Sequence, residues 1–266
     1  MSDRKKRRTI LDFARMKRDK VRICTLTAYD YISATLVDAA GVDGILVGDS
    51  LANVVQGRES TLPVTLDEII YHAEMVGRAV EHAMVIVDLP FPTTVLGPRT
   101  AVEAAAEVLK RAPVQAVKVE GGRRRAETLA AVVDAGIPVM GHCGLTPQSI
   151  HGLGGHRVQR DRERLLDDVK AVEDAGAFCV VLECIPHELA AEATELLSIP
   201  TIGIGAGAGC DGQILVFHDL VGLTPGHVPK HVKAYANCAK VISDAVSGYC
   251  DDVRSGVFPS SEQSFD

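Results

Sequence analysis

The chain has 266 residues, 47% hydrophobic and 24% charged, with no tryptophan, 4% aromatic residues and a net charge of −7. That is the balance of an ordinary globular protein with ample chain for one large, aliphatic core. It argues against three classes. The acidic body is unsuited to nucleic acid, no apolar run approaches the 18 residues of a membrane span, and the N-terminus lacks the apolar stretch of a signal peptide.

Taken in chain order, residues 1–20 come first, with nine Lys/Arg against three Asp/Glu, so +6 there and −13 on the remainder. The run "RKKRR" has the composition of a nucleic-acid arm or an address tag, and more plainly of a solvated terminus. The segment "LDFARMKRDK" has apolar residues at helical spacing, suited to covering the lower end of a barrel. Eight apolar runs follow: "VRICTLTA" (21–28), "DGILVGD" (43–49), "AMVIVDLP" (83–90), "QAVKVEG" (115–121), "IPVMGHCG" (137–144), "FCVVLEC" (178–184), "IPTIGIGAG" (199–207) and "QILVFHDLVG" (213–222). Most are separated by helix-length segments such as "TLDEIIYHAEMVGRAVEH" and "RTAVEAAAEVLKRA", which open near a threonine. Several helical segments end in Gly: "DAAGVDGILV", "VDAGIPVM" and "EDAGAFCVV". Eight strand–helix units in this length predict an α/β fold of the (β/α)₈ TIM-barrel type, with 1–20 as a basic arm or helix and 21–266 as one barrel. A doubly wound sheet would need a nucleotide fingerprint at an early turn, and "GVDGILVG" supplies none. The glycine-rich "GIGAGAGCDG" after the seventh strand is either an anion site or a tight turn using positive φ. The seven cysteines (24, 143, 179, 184, 210, 238 and 250) are odd in number and show no C-x-x-C spacing, which points to a reducing, cytoplasmic setting.

Four of the apolar runs end on an acid: Asp49, Asp88, Glu120 and Glu183, on strands two, three, four and six; His142 ends strand five. In a barrel all these ends open on one face, so the fold gathers them into a single mouth. Any one of them alone would read as a helix cap or a surface ion pair. Crowded carboxylates need a cation or a proton. Three oxygen donors without paired Cys or His suit a hard ion such as Mg²⁺, which leaves positions for a bidentate 2-oxo acid. Polarising that carbonyl would acidify the neighbouring C–H and favour an enolate. Lys118 shares its strand face with Glu120; it either pairs with Asp88 or Glu120 or binds a substrate carboxylate. Glu183 is placed to act as general base across the pocket, and His142 takes a supporting role.

The ordered motifs "TAYDY", "VGDSL…VVQG", "TLPVT", "DLPF", "KVEGG", "GHCGLTPQS", "LEC.P" and "IGIGAG…CDGQILV" resemble the ketopantoate hydroxymethyltransferase family, from about residue 21 to the final "GVFP…E.SF". The resemblance implies a barrel of the phosphoenolpyruvate/pyruvate superfamily. It also implies transfer of a one-carbon unit from 5,10-methylenetetrahydrofolate to 3-methyl-2-oxobutanoate on the route to pantothenate. Further implications are Mg²⁺ as cofactor and a homo-oligomer, commonly a decamer of two stacked pentamers. Carried over residue by residue, Asp49, Asp88 and Glu120 match the metal site. Asp49, Ser50, Asp88 and Lys118 match the oxo-acid site, and Glu183 the proton acceptor. Two positions depart from the family pattern. Arg160 follows Gln159 where Gly is usual, which implies a shortened loop after strand five, and His156 stands where an aromatic residue is usual. Both concern the folate side. Two competing readings are another Mg²⁺-dependent enzyme acting on C–C bonds of oxo acids, and a catalytically silent barrel. The first lacks its expected "KKCGH"-like loop, and the second would have lost one of these acids.

Overall fold

The computed structural model describes residues 6–155, 157–226 and 228–265, so His156 and the first five residues of the basic arm lie outside the described residues. The chain forms two compact units, residues 1–216 and 217–266. In the first, β1 (Ile23–Thr27), β2 (Gly44–Val47), β3 (Met84–Asp88), β4 (Ala116–Glu120), β5 (Val139–Gly144), β6 (Cys179–Glu183), β7 (Thr201–Ile204) and β8 (Gly212–Leu215) are all parallel. They close in sequence order, β8 pairing back to β1, as the predicted barrel requires. The helices of this unit are α1 (Ile10–Arg18), α2 (Tyr31–Ala39), α3 (Leu51–Val54), α4 (Leu66–Ala79), α5 (Pro98–Arg111), α6 (Ala126–Asp134), α7 (Ile150–Leu153), α8 (Arg162–Asp174) and α9 (His187–Leu196). Among the described residues, no helix is long and apolar enough to cross a membrane.

Strand alternation sets the layers. Ile45, Val47, Val85, Val87, Val117, Val119, Val180 and Leu182 are fully buried on the outward phase. The inward phase contributes Leu46, Met84, Ile86, Ala116, Met140, Cys179, Val181, Ile202 and Ile214 to one apolar cluster. Helix α1 completes that cluster. Its Phe13 and Met16, three residues apart and so on one helix face, are buried among these strand residues. The Phe13 ring meets Phe178 edge-on at 5.8 Å, and a Cβ on Gly44, the first residue of β2, would come within 3.1 Å of its Cζ. Phe13 therefore fills the barrel at the N-terminal ends of the strands. Burying such a ring is worth roughly 1.5–3 kcal/mol.

The local signals resolve individually. Thr65 and Glu68 form a reciprocal cap on α4. Helix α5, by contrast, starts at Pro98 rather than at Thr100. Proline suits the first helical position because its missing N–H would be unpaired there anyway. The glycine-rich stretch carries β7 into β8 through residues 205–211 with no helix between them. A Cβ on Gly207 would overlap His187 Cβ, and one on Gly209 would approach Ala191 Cβ to 2.9 Å. The glycines thus let bare backbone lie against α9, and Gly205 and Gly207 take positive φ, as a tight turn requires.

The second unit holds α10 (Phe217–Leu220) and α11 (Cys238–Ser255). Asn237 caps α11 by accepting from the Lys240 N–H, and Gly256 closes it in the left-handed conformation. Tyr249 and Phe258 pack edge-on at 5.6 Å.

Candidate active site

The alternation that fills the barrel with Met84 and Ile86 brings Asp88 to the same inner face two residues later. In the same way Ala116 leads to Lys118 and Glu120, Met140 to His142, and Cys179 and Val181 to Glu183. The strand register then pairs Asp88 with Lys118 and Glu120 with His142. Asp49 joins them from the turn after β2. The Asp49 N–H donates to Asp88 Oδ2 at 3.0 Å, an approach open because position 48 is glycine: a Cβ there would come to 2.8 Å from Ser50 Oγ and 3.3 Å from Asp88 Oδ2. Lys118 Nζ is ion-paired with Asp88 and stands 3.5 Å from Glu120 Oε1. His142 lies between two acids, Nδ1 3.4 Å from Glu120 Oε1 and Nε2 3.2 Å from Glu183 Oε2. Neither ring nitrogen makes an aligned hydrogen bond.

Asp49, Asp88, Lys118, Glu120 and His142 are only 2–6% exposed, whereas the Glu183 side chain is 19% exposed. Glu183 is therefore the carboxylate open to an incoming molecule. Burial, together with the charges of Asp88 and Glu120, pushes the Asp49 carboxyl up to about 8. Burial also raises Asp88, although Lys118 pulls it down. Glu120 goes the other way, to about 2, because Lys118 and His142 outweigh its burial. Burial and Lys118 oppose a charge on His142, but Glu120 and Glu183 prevail and raise it to about 9. Lys118 is likewise raised, its burial outweighed by Asp88, Glu120 and Asp49.

Among the described residues, no three His, Cys, Asp or Glu side chains already converge as a metal cage. The donor set still fits Mg²⁺, which is commonly held by one or two carboxylates with water and substrate oxygens completing its shell. The raised Asp49 carboxyl marks where negative charge is under-compensated, the condition a hard cation relieves.

The comparisons with known proteins bear on the family and the fold. A family model described as ketopantoate hydroxymethyltransferase matches residues 7–261. The chain belongs to the ketopantoate hydroxymethyltransferase family. A 3-methyl-2-oxobutanoate hydroxymethyltransferase of Rhodopirellula baltica is 53% identical over 263 residues, covering 99% of this chain and 98% of that one. The same enzyme of Pelobacter propionicus is 52% identical over 268 residues, covering 100% of both. The chain is accordingly a transferase, with 3-methyl-2-oxobutanoate hydroxymethyltransferase activity. Among solved structures, a 2,3-dimethylmalate lyase of the PEP mutase/isocitrate lyase superfamily superposes with a TM-score of 0.61 at 18% identity, covering 96% of this chain and 91% of that one. A phosphonopyruvate hydrolase superposes at 0.62 and 12%, covering 96% and 92%. At such identities these two speak for the barrel fold.

The structure brings together every residue singled out from the sequence: Asp49, Ser50, Asp88, Lys118, Glu120, His142 and Glu183. It adds two whose motifs carried the family resemblance without a role. The Tyr29 hydroxyl lies 2.8 Å from Ser50 Oγ. Gln148, in a 3-10 turn over Pro147–Ser149 after β5, donates through its side-chain amide to Asp49 Oδ2 and through its backbone N–H to Glu120 Oε2, each at 3.0 Å. Neither side chain titrates near neutrality, and in the sequence each stands among other polar residues just after a strand, Tyr29 beside Asp30 and Gln148 between Thr146 and Ser149, so nothing local singles it out. Across the mouth, the Gln159 N–H donates to the Cys184 carbonyl at 3.0 Å, tying the connection after β5 to the end of β6 beside Glu183.

Proposed function

We propose that the family's transfer reaction runs here through C3 deprotonation of 3-methyl-2-oxobutanoate, with Glu183 as the base and 5,10-methylenetetrahydrofolate as the one-carbon donor. Asp49, Asp88 and Glu120 would hold Mg²⁺, which when bound supplies Lewis-acid polarisation of the oxo acid's carbonyl. Lys118 binds the substrate carboxylate. Its ammonium has three donors, and Asp88 and Glu120 engage two of them. Ser50, ordered by Tyr29, contributes a hydroxyl to the same anion. Glu183 then takes the C3 proton, and His142 orients it from 3.2 Å. The carbanionic C3 carbon attacks the folate's methylene carbon as one of that carbon's two C–N bonds breaks, and the departing nitrogen takes up the proton that Glu183 removed. Water then displaces the remaining nitrogen from the methylene carbon, its oxygen becoming the hydroxyl of the product and its proton passing to that nitrogen, which completes tetrahydrofolate.

The observation that carries this reading is the graded exposure of one inward-facing cluster, in which the paired charges are buried and Glu183 alone stays open. A cytoplasmic homo-oligomer, decameric by family resemblance, is part of the same proposal. The exposed Tyr31, Ile32 and Leu36 of α2 and Tyr71 of α4 support subunit contact.

Proton NMR of 3-methyl-2-oxobutanoate in D₂O tests the chemistry without the folate. The enzyme with Mg²⁺ exchanges the C3 proton, and chelator stops it. Glu183→Gln retains oxo-acid binding while exchange falls by at least about 100-fold, the scale of a general-base contribution. Normal exchange in that variant would remove Glu183 from the role. Absence of exchange in the native enzyme under every condition would overturn the C3-deprotonation route and the roles given to Mg²⁺ and Glu183 in it.

A further inference from the structure

Gln148 has no part in the reaction as described, yet the carboxylates of two strands and the chain leaving a third meet at it. It is 8% exposed. Its side-chain nitrogen donates to Asp49 Oδ2 and to the Leu89 carbonyl, both at 3.0 Å, so both N–H donors of the amide are used. Its backbone N–H holds Glu120 Oε2 at 3.0 Å. One residue after β5 thereby fixes the turn after β2, the chain after β3 and the carboxylate of β4. The other contacts to these acids stay within one strand or between adjacent ones: the Asp49 N–H to Asp88, Lys118 to Asp88 and to Glu120 of its own strand, and His142 to Glu120. Gln148 is the link that reaches across the mouth from β5 to β2. An amide fits that position because it donates without carrying charge. It aims the Asp49 carboxylate and leaves the negative charge for a cation, where a lysine would neutralise it and a carboxylate would repel it.

We infer that Gln148 is a positioning residue that holds Asp49 and Glu120 at the separation needed to take up Mg²⁺ with the oxo acid. This rests on the proposed assignment of those acids to the metal. Hydrogen-bonding partners of metal ligands typically contribute about 10–100-fold to affinity.

Calorimetric titration of Mg²⁺ into the full-length enzyme with saturating 3-methyl-2-oxobutanoate separates the possibilities. Gln148→Met preserves volume and the backbone bond to Glu120 while deleting the two side-chain donors; Gln148→Asn keeps the amide but shortens its reach. Both should bind Mg²⁺ about 10–100-fold more weakly, with KM for the oxo acid raised and KM for the folate unchanged. Native Mg²⁺ affinity in either folded variant overturns the inference and leaves the metal assignment standing. Loss of folding in both, followed by circular dichroism, makes Gln148 a scaffold residue and also overturns it. Failure of the native enzyme to bind Mg²⁺ overturns the metal assignment itself and this inference with it.

Discussion

Gly144 leaves β5 at φ +94°, and a Cβ there would overlap the carbonyl oxygen of Glu183. The Leu145 N–H donates to that same carbonyl at 2.9 Å, so the backbone of the proposed base is seated directly on this glycine. Gly144→Ala should cost about 1–3 kcal/mol from the φ strain alone and shift Glu183 away from His142. The expected outcome is a melting temperature lowered by several degrees together with slower C3 exchange; unchanged exchange would show that Glu183 does not depend on this seat. The acids themselves were legible in the sequence because a charge that closes a Val/Ile run must meet either a partner or an opening. The glycine's role was not, since nothing in "GHCGLTPQS" states that the fourth residue faces a neighbouring strand. Lys118 was legible only as a pair of alternatives, and the structure shows the ion pair with Asp88.

At the scale of elements, Glu173 in the last turn of α8 ties that helix to the lead-in of β7. It accepts from the Ser198 N–H and hydroxyl at 2.6 Å each, from the Ile199 N–H at 3.3 Å, and from Lys170 at 2.8 Å. Burial would raise its carboxyl, but these donors outweigh it and hold it at about 2, below the ordinary 4.5. A group depressed in the folded state stabilises above its unfolded pKa and loses that contribution as pH falls through the folded value. Stability supplied by Glu173 is therefore complete above about 4.5 and is lost toward 2. Glu173→Gln should lower the melting temperature at pH 6 and flatten its decline between those values. An undiminished acid slope would place the linkage on other carboxylates. The glycine stops that end α2, α6 and α8 were readable from local chemistry, as Gly41, Gly136 and Gly176 all take positive φ. The missing helix between β7 and β8 was not readable. A glycine-rich loop looks the same in sequence whether it cradles an anion or presses against a helix, and the partner helix α9 comes from a different part of the chain.

At the scale of the whole barrel, seven of the eight apolar runs enclose their strands, because a barrel strand is largely covered on both faces; the eighth, 213–222, overshoots, since β8 is Gly212–Leu215 and residues 217–220 form α10. What they left open was how the lower end is closed, a question of three-dimensional fit that α1 settles with Phe13 and Met16. Phe13→Ala should cost roughly 3–5 kcal/mol, as large-to-small core changes do. Urea denaturation would show it as a lower midpoint, and the folded variant should keep C3 exchange because Phe13 lies at the opposite end from the acids. A loss below about 1 kcal/mol would mean that α1 rests on the barrel without filling it. The alternation described for β4 also bears on how the chain avoids misassembly. A slip by one residue would turn Lys118 and Glu120 outward beneath the helices and send Val117 and Val119 into the mouth. Charges without partners under an apolar layer are among the costliest errors a fold can make. The reactive residues therefore double as a parity check on strand alignment: a miscounted barrel is rejected as unstable before it could ever persist as a poor catalyst.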